Sequence, residues 1–151
     1  MAANGKPMHR KVPSSVPSSV SSSLTAGRKA ALSTTWVPER QDIIWINFNP
    51  QAGREMRAMH PMLVLSPKAF NERTSIVIGL PMSTAASNAS NPFAIDNSKS
   101  AKEPSFILCH QPQSFDWRQR GASRHPWKRV SDAVFQSVRL ELNDIIELVS
   151  P

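Results

Sequence analysis

The chain has 151 residues, 40% of them apolar, which suffices for one domain of ordinary size with an extension. Charged residues make up only 19%, and no apolar run approaches the roughly 20 residues of a membrane-spanning helix, which excludes a helical membrane protein. The net charge of +7 is unevenly placed: residues 1–35 hold Lys6, Arg10, Lys11, Arg28 and Lys29 and no acid, leaving 13 basic against 11 acidic residues in the rest. Charge therefore permits a polyanionic partner without demanding one.

Residues 1–35 are basic and rich in Ser and Pro, with Pro, Ser and Val mixed without periodicity from Val12 to Ser23. Such a stretch cannot bury enough apolar surface to offset its ordering entropy. It reads as a disordered extension, with a transit-type leader or an upstream misreading of the start (Met8 offers a second initiator) as alternatives. Residues 36–151 read as the folded domain.

Asp42 to Phe48 is rich in β-branched and aromatic residues and predicts a strand, closed by turn chemistry from Asn49 to Gly53. A loop with Arg54, Glu55 and Arg57 leads to His60-Pro61 and a short strand over Met62 to Ser66. Lys68 to Asn71 predicts one helical turn. Ser75 to Leu80 predicts the next strand, stopped by Pro81. Ser83 to Asn91 is small, polar and unpatterned and predicts a mobile loop. Pro92 to Asp96 predicts a short strand, Asn97 to Pro104 a polar loop, and Phe106 to Gln111 a strand that Gln113 to Arg118 extends or follows. Arg118 to Trp127 mixes charge with Gly121 and Pro126 and predicts no element. Val134, Val138, Leu142, Ile145 and Val149 then recur at helical spacing, with Ser131 as N-cap and Asp132 in the first turn. Five or six short strands and one terminal helix predict a mainly β fold, a small barrel rather than a parallel sheet.

Cys109 is the only cysteine, so it makes no internal disulfide and joins no multi-cysteine zinc site. It reads as a small buried hydrophobe. Neither His-x-x-x-His nor a paired carboxylate points to a metal. His9 lies in the extension and His125 in a polar stretch, and neither is assigned a role.

Several segments in order resemble one family. Val37 to Pro50 is similar to the opening strand of MazF/PemK-type toxins. Gly53-Arg-Glu55 and His60 to Ser66 resemble their first loop and second strand, and Phe70-Asn71 the turn after it. Pro81 to Thr84 matches the end of the third strand, and Cys109 to Pro112 with Phe115 to Ala122 the penultimate block. The resemblance spans about residues 36 to 149. It implies an SH3-like barrel of the CcdB/MazF type with a C-terminal helix, a homodimer, and an antitoxin partner. It also implies a cytoplasmic bacterial toxin that cleaves single-stranded RNA at short sequences, needing no metal or other cofactor and no membrane.

Metal-free RNA cleavage turns the 2′-hydroxyl onto the adjacent phosphorus. It needs a base for the 2′ proton, an acid for the leaving 5′ oxygen, and donors to the phosphoryl oxygens. At the positions where the family keeps such groups, this chain departs from the pattern. An arginine before the proline of the second strand is replaced by His60, a threonine after the third-strand proline by Ser83 (followed by Thr84), and an aspartate before Gln-Pro by His110. An arginine two positions before that aspartate is Leu108, a first-loop histidine is Arg54, and the glycine of the usual Gly-Asp opening is Gln41. Glu55 is retained.

Two readings follow. In the first, His60 and His110, imidazoles whose free form titrates near pH 6.5, become an acid–base pair, with Ser83 or Thr84 as donors. Arg54, Glu55, Gln111, Trp117 and Arg118 are then the substrate-binding candidates, Arg54 for phosphate and Trp117 as a stacking plane. In the second, the site has decayed and the chain only binds RNA or antitoxin, because imidazole does not reproduce guanidinium geometry. A third use of the barrel, poisoning a protein target such as gyrase, also stands. The plain structural alternatives are a hydrogen-bonded loop residue for His60, a half-buried strand end for Trp117, and a solvated face for Arg124, Lys128 and Arg129.

Overall fold

The computed structural model describes residues 36–100 and 103–150. The expectation for residues 1–35 lies outside them. The described chain runs β1 (Asp42–Asn47), β2 (Met59–Val64), α1 (Lys68–Thr74), β3 (Ile76–Ser83), β4 (Ala94–Asp96), β5 (Phe106–Leu108), β6 (Gln113–Asp116), β7 (Ser123–Arg129) and α2 (Asp132–Ile146). The strands form one antiparallel sheet in the order β4-β5-β3-β2-β1-β7, with β6 also paired to β3. No hydrogen-bonded pairing of β4 with β7 closes it, so it is an open, SH3-like barrel with a terminal helix, as expected.

Both faces of the central strands are buried, which explains why their sequences read as continuous apolar runs instead of alternating ones. On one face Ile43, Leu63, Leu80, Met82, Ile107 and Cys109 pack with Val130, Phe135 and Val138, the last two from α2. The intervening residues Ile44, Ile46, Met62, Val64 and Val77 are buried on the other face, where Phe48 meets Phe115 edge-on at 5.3 Å. Fully burying such a side chain contributes roughly 1.5–3 kcal/mol.

Pro81 does not stop β3, which runs on to Ser83. On one side Pro81 opposes Met62 of β2. On the other, β3 pairs with β6 from Ile76 to Gly79 and with β5 at Met82 and Ser83. Pro81 thus falls in the gap between two partners, where its missing N–H removes no pairing on that side. Gly79, in the same strand, allows β2 to come close. A Cβ there would stand 2.4 Å from the Leu63 carbonyl oxygen and 2.7 Å from Met62 Cγ.

β7 was the strand not expected from sequence. It is an edge strand on β1, and four of its residues face one of β1 across a register shift, between the pairs Asp42–Arg129 and Ile44–Arg124. Pro126 and the positive φ of Lys128 sit inside that bulge, so the local breakers that argued against a strand belong to it. His125 is correspondingly no loop residue. It is buried between Trp45 and Trp127, each at 4.8 Å, and desolvation pushes its pKa down.

The helix begins where expected, with the Ser131 hydroxyl accepting from the Val134 N–H. It ends earlier, at Ile146, with Glu147 left-handed at the C-cap. Val149, expected on the apolar face, is 69% exposed and instead exchanges two hydrogen bonds with the Asn143 carboxamide. The loop expected over Ser83 to Asn91 contains a 3-10 turn, Ala86–Ser90.

A polar hub lies under α1. Asn71 is fully buried and its carboxamide donates to the carbonyls of Pro38 (2.8 Å) and Ser66 (3.2 Å) and accepts from the Ser66 hydroxyl. Its backbone carbonyl accepts from Trp117 Nε1 at 2.9 Å. Removing the amide strands the Pro38 and Ser66 groups in the interior. Asn71→Ala is expected to cost about 3 kcal/mol in urea unfolding, and Asn71→Asp, which keeps the acceptor and loses both donated bonds, a similar amount. A change within 0.5 kcal/mol in both would contradict the hub.

Candidate active site

β2 and β3 pair at Met62–Pro81, Leu63–Leu80 and Val64–Gly79. Continued by two residues, that register sets His60 across from Ser83. His60 is half-buried, second in β2, and opposes Ile46 of β1 on its other side. Ser83 closes β3 and opposes Phe106 of β5. Its hydroxyl accepts from the Ala85 N–H at 3.2 Å, and Thr84 beside it is exposed.

Arg54 and Glu55 are exposed in the loop that joins β1 to β2. The loop is tied internally. Glu55 Oε2 accepts from the Ala52 N–H (3.0 Å), and Asn49 Oδ1 from the Ala58 N–H (2.9 Å). It is also gripped from outside. Gln111 Oε1 accepts from the Met56 N–H at 3.1 Å, and Gln111 Nε2 donates to the Arg54 carbonyl at 3.4 Å. The same Nε2 stands 3.3 Å from His110 Nε2. His110 is exposed in the turn after β5, with its ring 5.9 Å from that of Phe93, which is 45% exposed. Hydrogen bonds and a ring contact thus join Arg54, Gln111, His110 and Phe93, with Glu55 in the same held loop.

The structure does not join His60 to His110 by any hydrogen bond or ring contact. β3 stands between β2, which carries His60, and β5, and His110 lies in the turn beyond β5, four residues on from the Phe106 that opposes Ser83. The loop that Gln111 holds runs directly into β2 at Met59, one residue before His60.

Trp117 is a correction. Its ring is 5% exposed, its Nε1–H is bonded to Asn71, and the Arg118 guanidinium covers it at 4.8 Å. It packs the turn after β6 against α1 and offers no free plane to a base. Arg118 is exposed, and its backbone N–H donates to Asp116 Oδ1. Leu108 is 5% exposed, so its position presents no polar group to a ligand. Cys109 is fully buried, and desolvation pushes its thiol up to about 12, which makes it an inert core residue. Among the described residues no group of three or more His, Cys, Asp and Glu side chains is placed to hold a metal ion. No helix among them is long and apolar enough to cross a membrane.

Two residues were missed from sequence. Phe93 sits in Asn-Pro-Phe between polar stretches, and an exposed aromatic there was the available signal. The anchoring role of Arg120 carried no local signal, because its partners are 71 and 73 residues away. Its Nη1 donates to the carbonyls of Asn47 (3.0 Å) and Asn49, its backbone carbonyl accepts from the Asn47 N–H, and its guanidinium lies 4.0 Å from the centre of the Phe115 ring. It links the turn between β6 and β7 to the start of the loop that bears Arg54.

An open antiparallel barrel with a terminal helix, bearing exposed polar groups where a long β1–β2 loop meets the turn after β5, defines a small barrel protein of the SH3-like class. The family described as PemK-like, MazF-like toxin of type II toxin–antitoxin system matches residues 39–146. The endoribonuclease toxin MazF of Escherichia coli (strain K12) is 30% identical over 111 residues, covering 74% of this chain and 96% of that protein. Endoribonuclease PemK of Escherichia coli is 27% identical over 110 residues, covering 72% and 81%. The crystal structure of MazF from Deinococcus radiodurans superposes with a TM-score of 0.68 at 30% identity, covering 76% of this chain and all of that one. A MazE–MazF structure from the same organism gives 0.63 at 29%, with the same coverage. The chain belongs to the PemK-like, MazF-like toxin family.

Arg120→Lys keeps a positive charge but not a planar group that can reach two carbonyls and stack on Phe115. Tryptic cleavage after Arg54 and Arg57 in the native protein is expected to quicken by about tenfold, as loss of a buried-side anchor raises local opening. An unchanged rate at both sites would show that the loop is held without Arg120.

Proposed function

We propose that this protein is the toxin of a type II toxin–antitoxin system and a metal-independent, sequence-specific endoribonuclease acting on single-stranded RNA. The observation that carries this reading is similarity across nearly the whole length of a protein named as an endoribonuclease toxin, with the polar groups gathered around one loop. The similarity to MazF in MazE–MazF complexes supports an antitoxin partner, and with it a homodimer working in the bacterial cytoplasm.

In this reading a base removes the proton of a ribose 2′-hydroxyl, whose oxygen attacks the adjacent phosphorus. The P–O5′ bond breaks and the leaving 5′ oxygen takes up a proton, giving a cyclic 2′,3′-phosphate and a 5′-hydroxyl. His60 and His110 are the imidazoles that handle these protons. Ser83 and Thr84 donate to phosphoryl oxygens, and Arg54 contributes charge from the held loop. The dependence on a 2′-hydroxyl makes RNA, and not DNA, the substrate.

One observation favours a second reading, an RNA- or antitoxin-binding member without cleavage. Where relatives carry an arginine, Leu108 is buried, and His60 cannot offer a bidentate grip on phosphate. The test is incubation of the full chain with a long single-stranded RNA in excess chelator. Cleavage is expected, with His60→Ala and His110→Ala each lowering the rate by about 100-fold or more. Binding without cleavage selects the second reading, and full activity in both variants contradicts the two-histidine assignment. Intact RNA with an inhibited topoisomerase contradicts both and points to a protein target.

A further inference from the structure

The Gln111 carboxamide can be oriented in one way only. The Met56 N–H is a donor and must meet the amide oxygen, while the Arg54 carbonyl is an acceptor and must meet the amide nitrogen. The group that stands 3.3 Å from His110 Nε2 is therefore an NH2. Two donors cannot face each other across that distance, so in the neutral ring the nitrogen turned to Gln111 carries the lone pair. The ring's hydrogen is then on the other nitrogen, Nδ1.

We propose that Gln111 is a positioning residue, not a substrate ligand: it holds the Arg54–Met56 segment and fixes the neutral tautomer of His110 with the hydrogen on Nδ1. This rests on the ribonuclease reading only for its consequence. The nitrogen of His110 left free for a phosphodiester is an N–H, so the ring enters on the donor side of the pair, toward a phosphoryl or leaving oxygen. Removal of the 2′ proton falls to a group from the other side of β3, where His60 stands. The two histidines are thus unequal, and the inequality is set by one carboxamide that also fixes the loop.

The substitution of Gln111 by Glu separates the two functions by chemistry. One carboxylate oxygen still accepts from the Met56 N–H, while the other meets His110 as an acceptor and calls for the hydrogen on Nε2. Gln111→Leu supplies neither. The measurement is the nitrogen NMR of the His110 ring in the full chain without RNA, above its titration range. Amide exchange at Met56 is followed in parallel. The wild-type ring is expected to carry its hydrogen on Nδ1. Gln111→Glu moves it to Nε2, and Gln111→Leu abolishes the preference and speeds Met56 exchange by about tenfold. A wild-type hydrogen on Nε2 overturns the proposal, as does an unchanged tautomer in both variants. Because no RNA is present, a protein with the Nδ1 hydrogen that cuts no RNA contradicts the nuclease reading while upholding this one.

Discussion

Asn71 is fully buried, yet it is the polar group to which three separate segments of this small domain are tied. Pro38 lies before β1, Ser66 after β2, and Trp117 after β6, and each reaches Asn71 on α1 by a hydrogen bond. Ser66 passes the connection on, because its hydroxyl also accepts from the Ile78 N–H of β3. A seven-residue helix has no stability of its own in water. The hub makes it a fixed plug, since any displacement leaves several buried polar groups unmet at once. The placement of β3 against β2, and of the turn after β6, follows from this network together with the apolar faces.

β3 converts that rigidity into a site. Its first half is committed to β6 and its last residues to β5, so one strand sets the position of the Gln113 and Phe106 ends together. Between them the chain turns through Cys109 and His110. Cys109 is locked in the core, and its N–H donates to the Phe93 carbonyl, which leaves His110 facing outward beside an exposed aromatic. The β1–β2 loop is gripped near its start by Arg120 and near its end by Gln111. Flexible polar residues are thereby presented on a frame whose supports lie far away in sequence.

Much of this was legible in the sequence. The strands over Asp42 to Asn47 and Ile76 to Leu80 show as β-branched runs, and the helix shows in the spacing of Val134, Val138 and Leu142. What remained hidden has specific causes. β7 is an edge strand whose bulge absorbs Pro126 and Lys128, so local rules counted against it. Pro81 continues its strand because the partner changes at that point. Trp117 reads as a stacking plane because it stands among charges, and only the fold shows its N–H pointing at Asn71. Among the candidate residues, the sequence order suggested His60, Ser83 and His110 by resemblance. The role of Gln111 as a bridge between loop and imidazole depends on contacts made 55 and 57 residues apart.

In the proposed function, His60, Ser83, His110 and the Arg54 loop form one RNA-facing surface. The most direct measurement is an NMR titration of the full chain with a single-stranded RNA whose 2′-hydroxyls are replaced by hydrogen, so that it binds without being cut. The His60, Ser83, Arg54 and His110 signals are expected to shift together with one affinity, while Asn71 and Val138 stay still. Saturable binding that leaves those four signals unmoved, or moves them with unrelated affinities, would contradict it.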